Sequence, residues 1–290
     1  MKRGINALLI LATILIASLS SITAEAAIIN VNPYSEFDAE YYAENNPDVY
    51  AKYGDDSDAL LKHYVTRGKF EGRAYAENEL VLPTSIEADS NYNVLFIGNS
   101  ITYHPTCQYW WGSWGMCASA PENDYVHHVV SGLEETYGKV CYDIISYSFW
   151  ERKNVRSKAL PNIDSMLENK YNLIVIQVGD NVDDITTFQE DYSTLITYVK
   201  KSVPEAEVIL VGDFWYKVKR EEIKKNVAAA CGCKYVDISY VQNKGAFTAK
   251  VGQQVLGDDG QYHVIDFKPV AGHPNDAAMK YIAEQILKKI

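Results

Sequence analysis

The chain has 290 residues, enough for one ordinary domain and a smaller module. Hydrophobic residues make up 47% and charged residues 22%, the balance of a globular protein with a buried core. A formal net charge of -11 excludes a protein that holds nucleic acid mainly through its phosphates.

Residues 1–26 read as a signal peptide. Lys2 and Arg3 give a positive start, and the stretch from Ile5 to Leu19 is mostly apolar. That stretch falls short of a ~20-residue membrane span, and Ala24-Glu25-Ala26 supplies small residues for cleavage. The mature protein is therefore expected to be secreted or at the cell surface. Residues 27–76 read as a small all-α module. Phe37, Tyr41 and Tyr42 share a helical spacing, Asn46-Pro47 breaks that helix, and Gly54 closes a second one. A further amphipathic stretch ends at Gly68. Residues 77–92, polar and with Pro83, read as a linker.

From residue 93 to 290 short apolar runs alternate with amphipathic helical stretches. The runs are Val94–Ile97, Val140–Ser146, Leu173–Val178, Val208–Val211 and Tyr235–Ile238. Such alternation predicts an α/β fold with a parallel sheet of about five strands, covered by helices on both faces. Ligands of these sheets bind beyond the carboxyl ends of the strands. Gly98, Asn99 and Ser100 follow the first run, and Phe149, Trp150 and Glu151 follow the second. Gly179, Asp180 and Asn181 follow the third, and His273 precedes the last helical stretch. A serine, an amide and an imidazole at one sheet edge are the parts of acyl transfer. The hydroxyl needs a base, the base is most naturally imidazole, and an amide N–H can meet an oxyanion. Taken alone, Ser100 could equally be a helix cap.

The five cysteines show no spacing with histidine that suggests zinc, and no metal or cofactor is expected. Cys107 and Cys117 lie in one loop and could pair.

Three blocks resemble those of the SGNH (GDSL-type) hydrolases. "FIGNSIT" looks like the nucleophile block, "VGDNV" like the block carrying an oxyanion asparagine, and "GHPNDAAMKYIAEQI" like the block carrying the catalytic histidine. The resemblance covers roughly residues 93–290. It implies a flavodoxin-like three-layer α/β/α fold, with Ser100 as nucleophile, His273 as base, and the Ser100 N–H and Asn181 amide at the oxyanion. Gly98, Asn99, Trp150, Glu151 and Gly179 are candidates for the cleft around them.

The sequence departs from the family at points that matter. The aspartate usual three residues before the histidine is Val270 here. Asp276, Asp266, Glu151 or a backbone carbonyl remain to orient the imidazole, or a Ser-His dyad acts alone. The usual second-block glycine is absent, with Phe149-Trp150-Glu151 in its place. His104 is a rival base, four residues after Ser100, though Pro105 argues against a helix that would align them. Trp110, Trp111 and Trp114 crowd the loop after Ser100 and are candidates to contact substrate.

The module resembles a short unit, F-D-x-x-Y-Y-x-x-N-x-P-D-V followed by H-Y-x-x-x-G-x-x-E-G-R, found in secreted bacterial proteins. It implies a spacer, or a contact with the cell envelope or a glycan. The expected activity is a secreted serine esterase acting on short acyl esters, acetyl above all, carried on a carbohydrate, whether a small molecule or a polysaccharide. A glycan O-acyltransferase and a non-catalytic carbohydrate-binding protein are the alternatives.

Overall fold

The computed structural model describes residues 37–68, 71, 73, 75, 84–87, 90–107, 109–153 and 155–290. The expected signal peptide lies outside the described residues. Among those residues no helix is long and apolar enough to cross a membrane.

Three short helices come first: α1 (Ala39–Asn45), α2 (Pro47–Tyr53) and α3 (Ser57–His63). Pro47 opens α2 at a position whose N–H needs no partner, and the Asp56 side chain caps α3 by accepting from Ala59 N. The motif residues hold one another. Tyr42 OH lies 2.9 Å from His63 Nδ1, and Arg73 forks onto Asp48 with two 2.8 Å bonds.

Five strands follow: β1 (Tyr92–Gly98), β2 (Val140–Ser146), β3 (Leu173–Gln177), β4 (Glu207–Val211) and β5 (Lys234–Val236). All pair in parallel, in the order β2-β1-β3-β4-β5. This is the flavodoxin-like order, and its switch point lies between β1 and β3. Four residues of β1 show why both faces must be covered. Val94 and Phe96 pack into one core and Leu95 and Ile97 into the other, all with no exposure. Full burial of such side chains stabilises by roughly 1.5–3 kcal/mol each.

On the first face lie α4 (Tyr125–Tyr137) and the last helix, α9 (Asp276–Leu287), which pack on each other. Tyr125, Val126, Val129 and Leu133 of α4 meet Met279, Ile282 and Ile286 of α9 there. On the second face lie α5 (Ser148–Arg152), α6 (Asp164–Leu167), α7 (Phe188–Ser202) and α8 (Val218–Ala230). The five strands and the longer helices thus fall where the apolar runs and periodic stretches predict, in three layers. Two elements have no counterpart among the expected runs and stretches: the short helix α5, which forms directly after β2, and a hairpin. The hairpin, β6 (Gln254–Leu256) with β7 (Tyr262–Val264), folds over the tryptophan loop, tied to it by Asp258 N to Trp111 O at 2.9 Å.

Candidate active site

β1 delivers its chain to the turn at Gly98. A Cβ there would come within 1.7 Å of Thr102 Oγ1, so only glycine lets the turn fold back. Asn99 is fully buried and holds the turn from inside. Its Oδ1 accepts from Ile101 N at 3.0 Å, and its carbonyl accepts from Thr102 N at 2.9 Å. No helix starts at Ser100, because a turn over residues 100–102 follows β1. Ser100 is half-buried, and its Oγ lies 2.9 Å from His273 Nε2. The rival His104 bonds through Nδ1 to Pro105 O at 2.7 Å, and it is His273, not His104, that meets the Ser100 hydroxyl.

His273 sits between a 3₁₀ turn, Val270–Gly272, and α9. Its Nδ1 lies 2.9 Å from the backbone oxygen of Val270. A carbonyl only accepts, so the proton is on Nδ1 and the Nε2 lone pair faces the Ser100 hydroxyl. That carbonyl also takes the Cys117 Sγ–H at 3.0 Å. Neither candidate acid stands behind the ring. The Asp276 carboxylate is occupied by Ser119 N at 2.7 Å and Ser119 Oγ at 2.6 Å, and Asp266 is exposed. Cys117 and Cys107 are both free thiols. Trp215, on the loop after β4, completes the seat. Its ring meets the imidazole edge-on at 4.8 Å, and its Nε1 donates to Gly272 O at 3.1 Å.

Burial pushes the His273 imidazole down to about 4, the bond to Val270 opposing this and the Arg152 charge adding to it. An aspartate would stabilise the imidazolium and raise that value, and a neutral carbonyl does so far less. A base must be neutral to work, so activity is lost only as pH falls toward the folded value. For hydrolysis of 4-nitrophenyl acetate, kcat/KM should therefore stay flat from pH 8 to below 6.5 and fall tenfold per unit only in the acid range. A half-maximal point at or above 6.5 would contradict this seat for the imidazole.

Glu151 is almost fully buried and gathers the far side of the site. Oε1 accepts from Gly179 N at 2.5 Å, Asn99 Nδ2 at 3.1 Å and Asn181 N at 3.3 Å, and Oε2 accepts from Asn181 Nδ2 at 2.5 Å. It thus links the ends of β1, β2 and β3, and leaves Asn181 one amide N–H to spare. Gly179 has φ +131, where side chains are strained, and a Cβ would approach Asp213 Oδ1 to 2.7 Å. Asp213 is itself buried against Lys224 at 2.8 Å and against Arg220, whose guanidinium also ties Val182 O and Trp215 O at 2.8 Å. This network sets the β3 and β4 loops against each other.

A cleft of about 950 Å³ opens over these groups, lined among others by His273, Asn181, Trp215 and Arg152. The helical module supplies part of its wall through Asn45, Asp48 and Arg73. The tryptophans expected at the substrate lie elsewhere. Trp110 and Trp114 are buried edge-to-face in the sheet core, and the Trp114 Nε1 donates to Ala118 O at 3.2 Å. Trp111 stacks on His263 of the hairpin at 4.7 Å. Trp150 is buried beneath the site, stacked on Tyr147. Trp110 and Trp114 thus belong to the core on one face of the sheet and Trp150 to the core on the other. Trp215 is the ring the sequence reading did not single out; its position after the fourth strand was the available signal.

No protein-family model matches the chain, and no curated protein matches it significantly. Solved structures do match. A two-domain esterase active on acetylated mannans shares 20% identity over 68% of this chain and 48% of its own, with a TM-score of 0.47. A family two carbohydrate esterase from Clostridium thermocellum shares 16% over 71% of this chain and 65% of its own, with a TM-score of 0.46. A salicylyl-acyltransferase from a tetracycline biosynthetic pathway shares 15% over 69% and 55%, with a TM-score of 0.43. The match thus spans less than two thirds of each of these three chains.

Proposed function

We propose that the protein is an exported serine esterase that removes short acyl groups, acetyl above all, from a carbohydrate. The observation that carries this reading is the 2.9 Å contact between Ser100 Oγ and His273 Nε2, with Nδ1 anchored on the Val270 carbonyl. A nucleophile, a base and a group that fixes the base's tautomer are the needed set. Ser100 Oγ attacks the ester carbon and passes its proton to Nε2. The Ser100 N–H and the free Asn181 amide N–H take the developing oxyanion. The leaving alcohol departs with the Nε2 proton, and an acyl-serine remains. Water then attacks the acyl carbon along the same route, giving a proton to Nε2, and that proton passes to Ser100 Oγ as its bond to the acyl carbon breaks and the acid leaves. Here a backbone carbonyl stands in for the aspartate, so the working unit is a Ser-His dyad.

Carbohydrate as the alcohol is supported by the wide polar cleft and by Trp215 beside the imidazole, a ring face suited to a sugar. The module wall extends the cleft and would meet a glycan there. The test is a serine-reactive fluorophosphonate: one equivalent should attach, mapped to Ser100, with loss of 4-nitrophenyl acetate turnover. A fully folded protein that takes no label would favour the non-catalytic binding reading. The cleft's width keeps a second acceptor in play, and product analysis with and without added sugar separates glycan acyl transfer from hydrolysis.

A further inference from the structure

The cleft holds several cations, and all but one are answered by the protein. Arg73 forks onto Asp48 and also meets Glu71 at 2.5 Å. Arg156 pairs with Asp191 at 2.8 Å, Lys217 with Asp183 at 2.8 Å, and Lys153 with Glu44 at 3.5 Å. Arg152 is different. It ends α5, lines the cleft together with His273, and has neither a hydrogen bond nor an ion pair among the described residues. The carboxylate beside it in the chain, Glu151, is already filled by the N–H groups of Asn99, Gly179 and Asn181.

We propose that Arg152 binds a carboxylate of the substrate, so that the ester cleaved is carried by an acidic sugar, a uronate or its like. This rests on the esterase reading above. Arg152 is half-buried, and with no protein partner for its guanidinium in a cleft where the other cations are paired, its fork is free for a ligand. Its planar fork matches the two oxygens of a carboxylate. A single free positive charge balances a monoanion, whereas a phosphate dianion would be left half-neutralised against Glu151 and Asp180. The Arg152 charge also reaches the base: it helps hold His273 low. A carboxylate on Arg152 would therefore ease proton uptake by the imidazole when the right substrate is bound.

The test compares two esters that differ at one group, O-acetyl galacturonate and O-acetyl galactose. The wild-type protein should favour the uronate in kcat/KM. In Arg152→Gln that preference should shrink roughly 10- to 100-fold, the worth of one charge-assisted bidentate contact. Arg152→Lys, which keeps the charge without the fork, should fall between. Titration calorimetry with free galacturonate and galactose should show the same order without any chemistry. If neither ester is turned over but galacturonate binds through Arg152, the esterase reading fails and Arg152 stands as the carboxylate site of a uronate-binding protein. A wild-type preference for the neutral ester, an uronate preference that survives in Arg152→Gln, or no galacturonate binding would overturn it. Should the glutamine variant not fold, the wild-type preference and the lysine variant decide.

Discussion

Ser100→Ala should lower kcat/KM for 4-nitrophenyl acetate by at least about 10³-fold while leaving the protein folded, because removing a nucleophile leaves only the residual help of the oxyanion site. The hydroxyl is half-buried, and its partner is His273. Its loss should therefore change stability by no more than about 1 kcal/mol, the net worth of one such bond. Unaltered near-ultraviolet circular dichroism and melting temperature would establish that the fold persists. His273→Ala should cause a similar loss, and the double variant should be little worse than either single one, since a nucleophile and its base act as a unit. Turnover that survived in folded Ser100→Ala would sink the assignment.

Glu151→Gln should cost about 10²-fold in kcat with little change in KM, the scale of losing one oxyanion donor. The glutamine carbonyl can keep the donors now on Oε1. Its NH₂ group would then face the Asn181 amide, where Oε2 now accepts at 2.5 Å. Two donors cannot bond, so the Asn181 side chain must turn away from the oxyanion. Stability should fall by about 1–3 kcal/mol as well, for the buried N–H left without an acceptor. A purely structural role would lower the melting temperature but leave kcat per phosphonate-titrated site unchanged. Combining Glu151→Gln with Asn181→Ala should add almost nothing to the loss in kcat, because both remove the same donor.

These two residues were unequally legible. Ser100 was readable because a wholly apolar run must be a buried strand, and its end is a ligand site in a parallel sheet. The same logic pointed to Asn181 and His273 at two other element ends. Glu151 was placed in the cleft from its position after the second run, but its partners lie 28, 30 and 52 residues away in the chain. No local pattern encodes a carboxylate after one strand that collects N–H groups from the ends of two others. The tryptophans show the opposite error. Their closeness to Ser100 in sequence suggested a substrate contact, yet Trp110 and Trp114 are core. Trp215, 115 positions further along, is the ring against the imidazole.

By itself the sequence determined the layered α/β fold, since apolar runs of strand length and amphipathic stretches of helix length are local properties. It also placed a serine, an amide and a histidine at strand and helix ends. Only the tertiary structure decided what orients the histidine. The acceptor is the Val270 carbonyl, and a backbone oxygen is present at every residue, so side-chain identity carries no trace of it. The structure likewise decided that Arg152 stands unanswered in a cleft partly walled by the N-terminal helices. Whether a charge is paired depends on which distant groups the fold brings within reach.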